Sequence, residues 1–394
     1  MTITKVSKQS YGSRLGGAFG GIILGLGLLV ISSGMLIWNE GNSVKTSRSL
    51  KEGAKNFISV SSNEVNAANN GKLVYTSGNL AVNEVLADKQ FFVSDKAVRL
   101  KRSVEMYQWK QTTKTESKEK LGGSKETVTT YDYEKVWASS LINSEGFEDK
   151  VNYQNPNKML FKSKTTNAQG VKVGGFTITD KMVSKLNDFD ELVVKPDVNA
   201  TAIGIENLTP HDNGFYIGYN PSAPRIGDYK VKFSSVKPGP VSIISKQQNN
   251  TFEPYQAKAG RSVDMIKMGN HSAENMFEAA QKSNTMMTWA LRFGGLLLMF
   301  FGFTAILRPI AVAGSIVPFL GKMVGAGIGI VGFLLAITLG FILIAFSWIA
   351  YRPVIGVALL LVAGGAIFLL IRNSKKRKAL ATQAEQDDAS VTIE

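Results

Sequence analysis

The chain has 394 residues, 44% of them hydrophobic, and its 45 Lys and Arg stand against 31 Asp and Glu, a formal net charge of +14. No charge occurs between Arg14 and Glu40 or from Met323 to Ala350, and two such runs exclude an ordinary soluble protein and a disordered one. Cys is absent and His occurs only as His211 and His271. That excludes disulfide scaffolds, Cys-ligated metals and cysteine nucleophiles, and leaves little for a His-based site.

Residues 1–14 carry Lys5, Lys8 and Arg14 ahead of the first apolar segment, 15–38. At 1.5 Å per residue that segment is long enough to cross a hydrocarbon core of ~30 Å. It ends without a small-residue cleavage site, so it reads as an uncleaved anchor with Trp38 at the interface. Residues 39–285 contain no further run long enough to span. Tyr229, Val231 and Phe233 alternate with lysines, and a Lys-Pro-Gly-Pro turn at 237–240 leads into Val241–Ile244. These are strand signals. A second strand, Val98–Trp109, and a third, Val128–Trp137, flank a polar stretch that pivots on Gly122 and Gly123, which predicts a long hairpin. Met182, Val183, Leu186 and Phe189 share a stripe that predicts a helix over 181–189. This block is expected to be an α+β domain rich in antiparallel strands, ending in a juxtamembrane helix over 272–285.

That helix runs on into a second span, 286–307, with Arg292 near one end placed to snorkel. Residues 308–322 are uncharged between Arg308 and Lys322 but short, with Pro309 and Pro318, and read as an interfacial or re-entrant piece. Spans three and four are expected at 323–350 and 353–371, followed by a basic run, Lys375, Lys376, Arg377 and Lys378, and a polar tail to 394. More than half of the positive excess lies outside residues 39–285, where it sets orientation rather than nucleic-acid binding. Four spans with basic ends place residues 1–14, 308–322 and 372–394 in the cytoplasm and the large domain outside it.

Several stretches resemble the transmembrane protein 43 family, also called LUMA. They are Trp38-Asn39-Glu40-Gly41, Ser49-Leu50-Lys51-Glu52-Gly53, Val104-Glu105-Met106-Tyr107-Gln108-Trp109, Thr288-Trp289-Ala290-Leu291-Arg292 and Tyr351-Arg352-Pro353. Similar stretches occur at 142–144, 155–156, 227–228 and 272–274. The resemblance implies one N-terminal span, a large lumenal or periplasmic domain and a C-terminal cluster of spans. It also implies a scaffolding role, placed in animals in the endoplasmic reticulum and inner nuclear membrane, with no catalytic residues. The Cys-free, Lys- and Asn-rich composition points to a bacterial member, for which the inner membrane and a periplasmic domain are expected.

Small residues four apart let helix backbones approach closely. Gly16, Gly17, Gly20, Gly21 and Gly25 form such a face in the first span, and Gly325, Gly329 and Thr338 are the matching candidates in the third. Gly327–Gly332 copies a dinucleotide fingerprint by letter but lies inside a span without a preceding strand, so it fails its context test. Trp38, Arg292, Arg308, Arg352 and Lys375–Lys378 are expected at the membrane interface, against anionic lipids where the charge is basic. No Asp or Glu falls inside the four segments as bounded, which argues against a proton relay. The acidic clusters 145–149 and 188–191 have no spacing that a mechanism requires, and Ser117/Lys120 copies a β-lactamase-like spacing but lies in a charged hairpin arm without the companion motifs. No metal, cofactor or nucleic acid is implied. The expected protein is therefore a non-enzymatic, self-associating membrane scaffold that also contacts other membrane proteins. The rival readings are an oligomeric pore and a membrane-tethered hydrolase.

Overall fold

The computed structural model describes residues 2–194 and 204–354. Four α-helices occur among them: α1 (Tyr11–Asn56), α2 (Asp180–Val183), α3 (Ala273–Gly314) and α4 (Pro318–Tyr351). The chain divides into two units. One comprises residues 1–11 and 46–283, and the other residues 12–45 and 284–394.

The first unit is built on two large sheets, an antiparallel one of eight strands and one of seven that is antiparallel except where Ile58–Ser59 pairs parallel with Leu73–Ala81. Alternation accounts for their core. Tyr229, Val231 and Phe233 are buried on one side of strand Tyr229–Val236, as expected, while Lys230 and Lys232 face out. The partner strand Arg99–Glu119 aligns Val104 with Val231 and Met106 with Tyr229. The turn at 237–240 does not close a hairpin between neighbours. Strand Pro240–Gln248 leaves for the seven-stranded sheet, where it pairs with Leu73–Ala81 and Met265–Met268. Phe91, Phe215, Phe233, Val104, Ile243 and their neighbours form the main hydrophobic cluster. A second cluster joins Leu50, Leu73, Ile244, Met276 and Phe277.

The expected hairpin is present and longer than its apolar ends suggest. Arg99–Glu119 pairs with Lys125–Ala138 from Met106 opposite Ala138 out to Glu119 opposite Lys125. Gly122 and Gly123 turn it at φ of 81° and 74°, a left-handed conformation that favours glycine. Helix α2 is a single turn, shorter than predicted: Thr179 caps it through the Met182 amide, and Leu186 and Phe189 lie beyond its end.

Residues 1–14 were expected to lie apart from this domain. Instead Ile3–Gln9 is a strand of the eight-stranded sheet, antiparallel to Lys125–Tyr131, with Val6 opposite Val128. Its Thr, Ile and Val content suits a strand, and Lys5 pairs with Glu148 at 3.1 Å. Read only as positive charge, this segment hid its strand pattern.

In the second unit, α1, α3 and α4 are each long and apolar enough to cross a membrane. Three of the four expected spans thus fall on helices that could cross a membrane. The fourth, 353–371, and the tail 372–394 fall almost wholly outside the described residues. Residues 308–322 are not a separate interfacial piece. Helix α3 continues through Pro309 to Gly314, and α4 starts with Pro318 in its first turn, so only Ser315–Val317 link them. Proline in a helix interior removes the hydrogen bond to the carbonyl four residues earlier, here that of Ala305. Gly21 of α1 packs against that carbonyl: a Cβ built on Gly21 would lie 3.4 Å from its oxygen.

Candidate functional site

The most concentrated chemistry of the second unit lies where Glu40 of α1 meets α3 and α4. Glu40 is 1% exposed. One of its oxygens accepts a hydrogen bond from Arg292 Nε at 2.6 Å, and the other accepts from Arg292 Nη2 at 2.8 Å and from Trp348 Nε1 at 2.7 Å. The guanidinium carbon of Arg292 stands 4.6 Å from the centre of the Trp289 ring and 5.7 Å from that of Trp348. Arg352 covers the Trp348 ring at 5.9 Å.

Neighbouring polar side chains extend this cluster. Asn39 Nδ2 donates to the Thr288 carbonyl at 3.0 Å, and Asn284 Nδ2 donates to the Ser43 carbonyl at 3.1 Å. The Thr288 hydroxyl donates to the Asn284 carbonyl at 2.6 Å and lies 2.8 Å from Ser43 Oγ. Gly41 lets the Tyr351 ring approach: a Cβ there would fall 2.6 Å from Tyr351 Cζ. The bidentate ion pair is the strong form of a charge-assisted hydrogen bond. Burial makes removal of either partner costly, because the other charge is left uncompensated. The arrangement is a three-helix lock.

At the opposite end of the unit Arg14 Nη1 donates to Ser315 Oγ at 3.0 Å, and Ser315 Oγ donates to the Val312 carbonyl at 2.7 Å. Twenty-six residues of α1 separate Arg14 from Glu40, about 39 Å of helix.

Between them small residues set the helix approach. A Cβ on Gly25 would lie 2.6 Å from the Gly302 carbonyl oxygen, and one on Gly332 would lie 2.9 Å from Thr304 Cγ2. Leu36, Met299 and Ala336 form the buried centre of the bundle.

The sequence model of the family described as transmembrane protein 43 matches residues 106–353. Transmembrane protein 43 of Mus musculus is 32% identical over 366 residues, covering 89% of this chain and 89% of the mouse protein. This chain belongs to the transmembrane protein 43 family. The human family member is 31% identical over 377 residues, 92% of this chain and 91% of its own. The Drosophila melanogaster homologue is 27% identical over 364 residues, 89% of this chain and 94% of its own. No solved structure matches.

Against this geometry the residues singled out in the sequence separate into groups. Gly21 and Gly25 meet α3. Among the described residues nothing lies within 4 Å of a Cβ built on Gly16, Gly17, Gly20, Gly325 or Gly329, and Thr338 is exposed. The small residues of α4 that pack inside the unit are Gly332, Ala336 and Gly340, which continue the stripe of Gly325 and Gly329 seven residues further along the helix. Trp38 is 58% exposed and Arg308 is exposed. Arg292 does not snorkel away from the bundle but is held by Glu40. Lys375, Lys376, Arg377 and Lys378 lie outside the described residues.

Glu40 is the residue that the sequence reading missed. It lies two positions beyond the expected end of the first span, inside α1. An acid just past one apolar run and a base just inside the next is the signal that could have found it, since antiparallel helices bring those ends together.

In the first unit the acidic clusters have structural partners. Asn152 hydrogen-bonds the Asp149 carboxylate and holds it below the usual carboxylate range. Glu148 pairs with Lys5. Ser117 Oγ lies 3.1 Å from Thr127 Oγ1 across the hairpin, in a ladder of side chains rather than a catalytic pair.

Proposed function

We propose that this protein is a non-enzymatic membrane scaffold, in which the locked helix bundle anchors the strand-rich domain and copies of the chain associate through their helices. One observation carries the reading. The glycines of α1 and α4 fall into two sets, one used inside the chain and one left open. Gly21, Gly25, Gly332 and Gly340 are closely packed, whereas nothing among the described residues lies against Gly16, Gly17, Gly20, Gly325 and Gly329. Glycine lowers helix stability in water and lipid offers it no packing of its own, so an open glycine face on a membrane helix is suited to another helix. The family resemblance supports the same role.

The test is the subunit count of the full chain in lipid nanodiscs. Assemblies larger than one chain are expected, and Gly16→Leu with Gly20→Leu should shift them toward monomers without lowering the melting temperature. A wild-type chain that stays monomeric at high density in the membrane refutes the reading.

A further inference from the structure

Below the lock, the helix bundle presents an apolar groove of about 350 Å³, lined by Phe293, Leu296, Leu297 and Phe300 of α3 and by Phe333 and Ile337 of α4 among others. Phe293 and Leu297 are 69% and 42% exposed. Trp289 stands four residues before Phe293, on the same stripe of α3, and is itself 62% exposed. Trp348 follows Ile337 by eleven residues, three helical turns, which returns it to the same face of α4 about 16 Å nearer the helix end. Helical spacing therefore places the two tryptophans, with the two arginines stacked on them, beyond that end of the groove.

The charge at that end is not balanced. Arg292 and Arg352 supply two positive charges and Glu40 one negative. Glu40 engages Nε and Nη2 of Arg292, which leaves Nη1 as its remaining nitrogen. Among the described residues no carboxylate lies within ion-pair distance of Arg352. A cationic, aromatic-walled mouth above a purely apolar trough matches a lipid in which a phosphate heads an acyl chain. A choline or ethanolamine headgroup would add positive charge to a cluster already one in excess. A headgroup that keeps a net negative charge would balance it.

We propose that an anionic phospholipid binds here, its headgroup at Arg292 and Arg352 between Trp289 and Trp348 and one acyl chain in the groove. This site is distinct from the open glycine faces and stands whether or not the chain oligomerises. The lipid bridges α3 and α4 and so stabilises the folded bundle, as any ligand of the native state does.

The experiment is thermal unfolding of the full chain in a neutral detergent, titrated with phosphatidylglycerol or phosphatidylcholine, with bound lipid counted by native mass spectrometry. Phosphatidylglycerol should give a saturable rise in Tm and a retained lipid, and phosphatidylcholine should give neither. Arg352→Gln should lose most of the rise, and Leu297→Trp or Ile337→Trp, which fill the groove, should abolish it while leaving the lipid-free Tm at the wild-type value. Equal responses to the two lipids, or an undiminished response in Arg352→Gln or in both groove variants, would overturn the proposal. A fall in the lipid-free Tm of both groove variants would show that another part of the chain fills the groove, which overturns it equally.

Discussion

The Glu40–Arg292 pair puts a strong constraint on three helices at once, because Trp348 donates to the same carboxylate. Its value is in specifying register. Two desolvated charges gain little over a well-packed apolar pair, but removing one leaves the other stranded, at a cost of about 3–5 kcal/mol. Glu40→Gln or Arg292→Leu should therefore lower stability by that amount in detergent unfolding, while the double variant Glu40→Leu with Arg292→Leu should recover a large part of the loss. Additive losses in the double variant would show that the two charges do not act as a pair. Arg292→Lys should not substitute, since a lysine cannot reproduce the bidentate contact. Hydropathy made both residues visible as charges at the ends of apolar runs. What it could not supply was their common depth, which depends on how far α1 extends beyond Trp38 and on which face of α3 turns toward it.

At the scale of elements, periodicity identified four of the longest strands and all three helices of the bundle, and failed where partners decide. The hairpin arm beyond Trp109 has no apolar alternation, yet Lys110–Glu119 is strand throughout because each residue has a partner on the returning arm. The N-terminal strand is similar: Ile3 and Val6 are too few to signal a core, and the edge they occupy is made by residues 125–131. The native chain lacks cysteine, so a Val6→Cys, Val128→Cys double variant should form an intramolecular disulfide on mild oxidation, whereas Val6→Cys with Leu121→Cys, out of register, should not. Failure of the first pair to cross-link would remove Ile3–Gln9 from the sheet. Between helices, four-residue spacing gave a motif that packs at Gly21 and Gly25 in α1, and in α4 it marked the stripe on which Gly332 and Gly340 pack further along. Glycine recurs along that stripe of α4, and only the partner's side chains, Thr304 and Leu296, mark where along it the helices pack. Gly25→Leu and Gly332→Leu should each destabilise the bundle by about 1–3 kcal/mol through overpacking. Gly329→Leu should leave its stability unchanged.

The whole molecule divides along lines that the composition foreshadows, a charged block of residues 39–285 against apolar runs on either side. The structural boundary falls slightly inside that block, at 46 and 283, because α1 and α3 continue beyond the apolar segments. Both hydrophobic clusters of the sheet-rich unit are drawn from residues between 50 and 280, and neither depends on a disulfide. A fragment of residues 46–283 therefore contains its own core and should unfold cooperatively in aqueous buffer without detergent. That fragment lacks Ile3–Gln9, which leaves the backbone of Lys125–Tyr131 without its strand partner. An unpaired edge of this length is a template for other strands. The fragment is accordingly expected to associate with itself at high concentration, and a synthetic peptide of residues 2–10 should bind it and suppress that association. The Lys5 contact with Glu148 and the Thr2 hydroxyl contact with Asp132 give the peptide a preferred register. A Lys5→Glu peptide, which places an acid against Glu148, should bind more weakly in titration calorimetry. If the fragment unfolds without cooperativity, the sheets require the membrane helices to form. If it folds but the two peptides bind alike, edge pairing is driven by backbone hydrogen bonds alone, and the register of the first strand is set by its covalent link to α1.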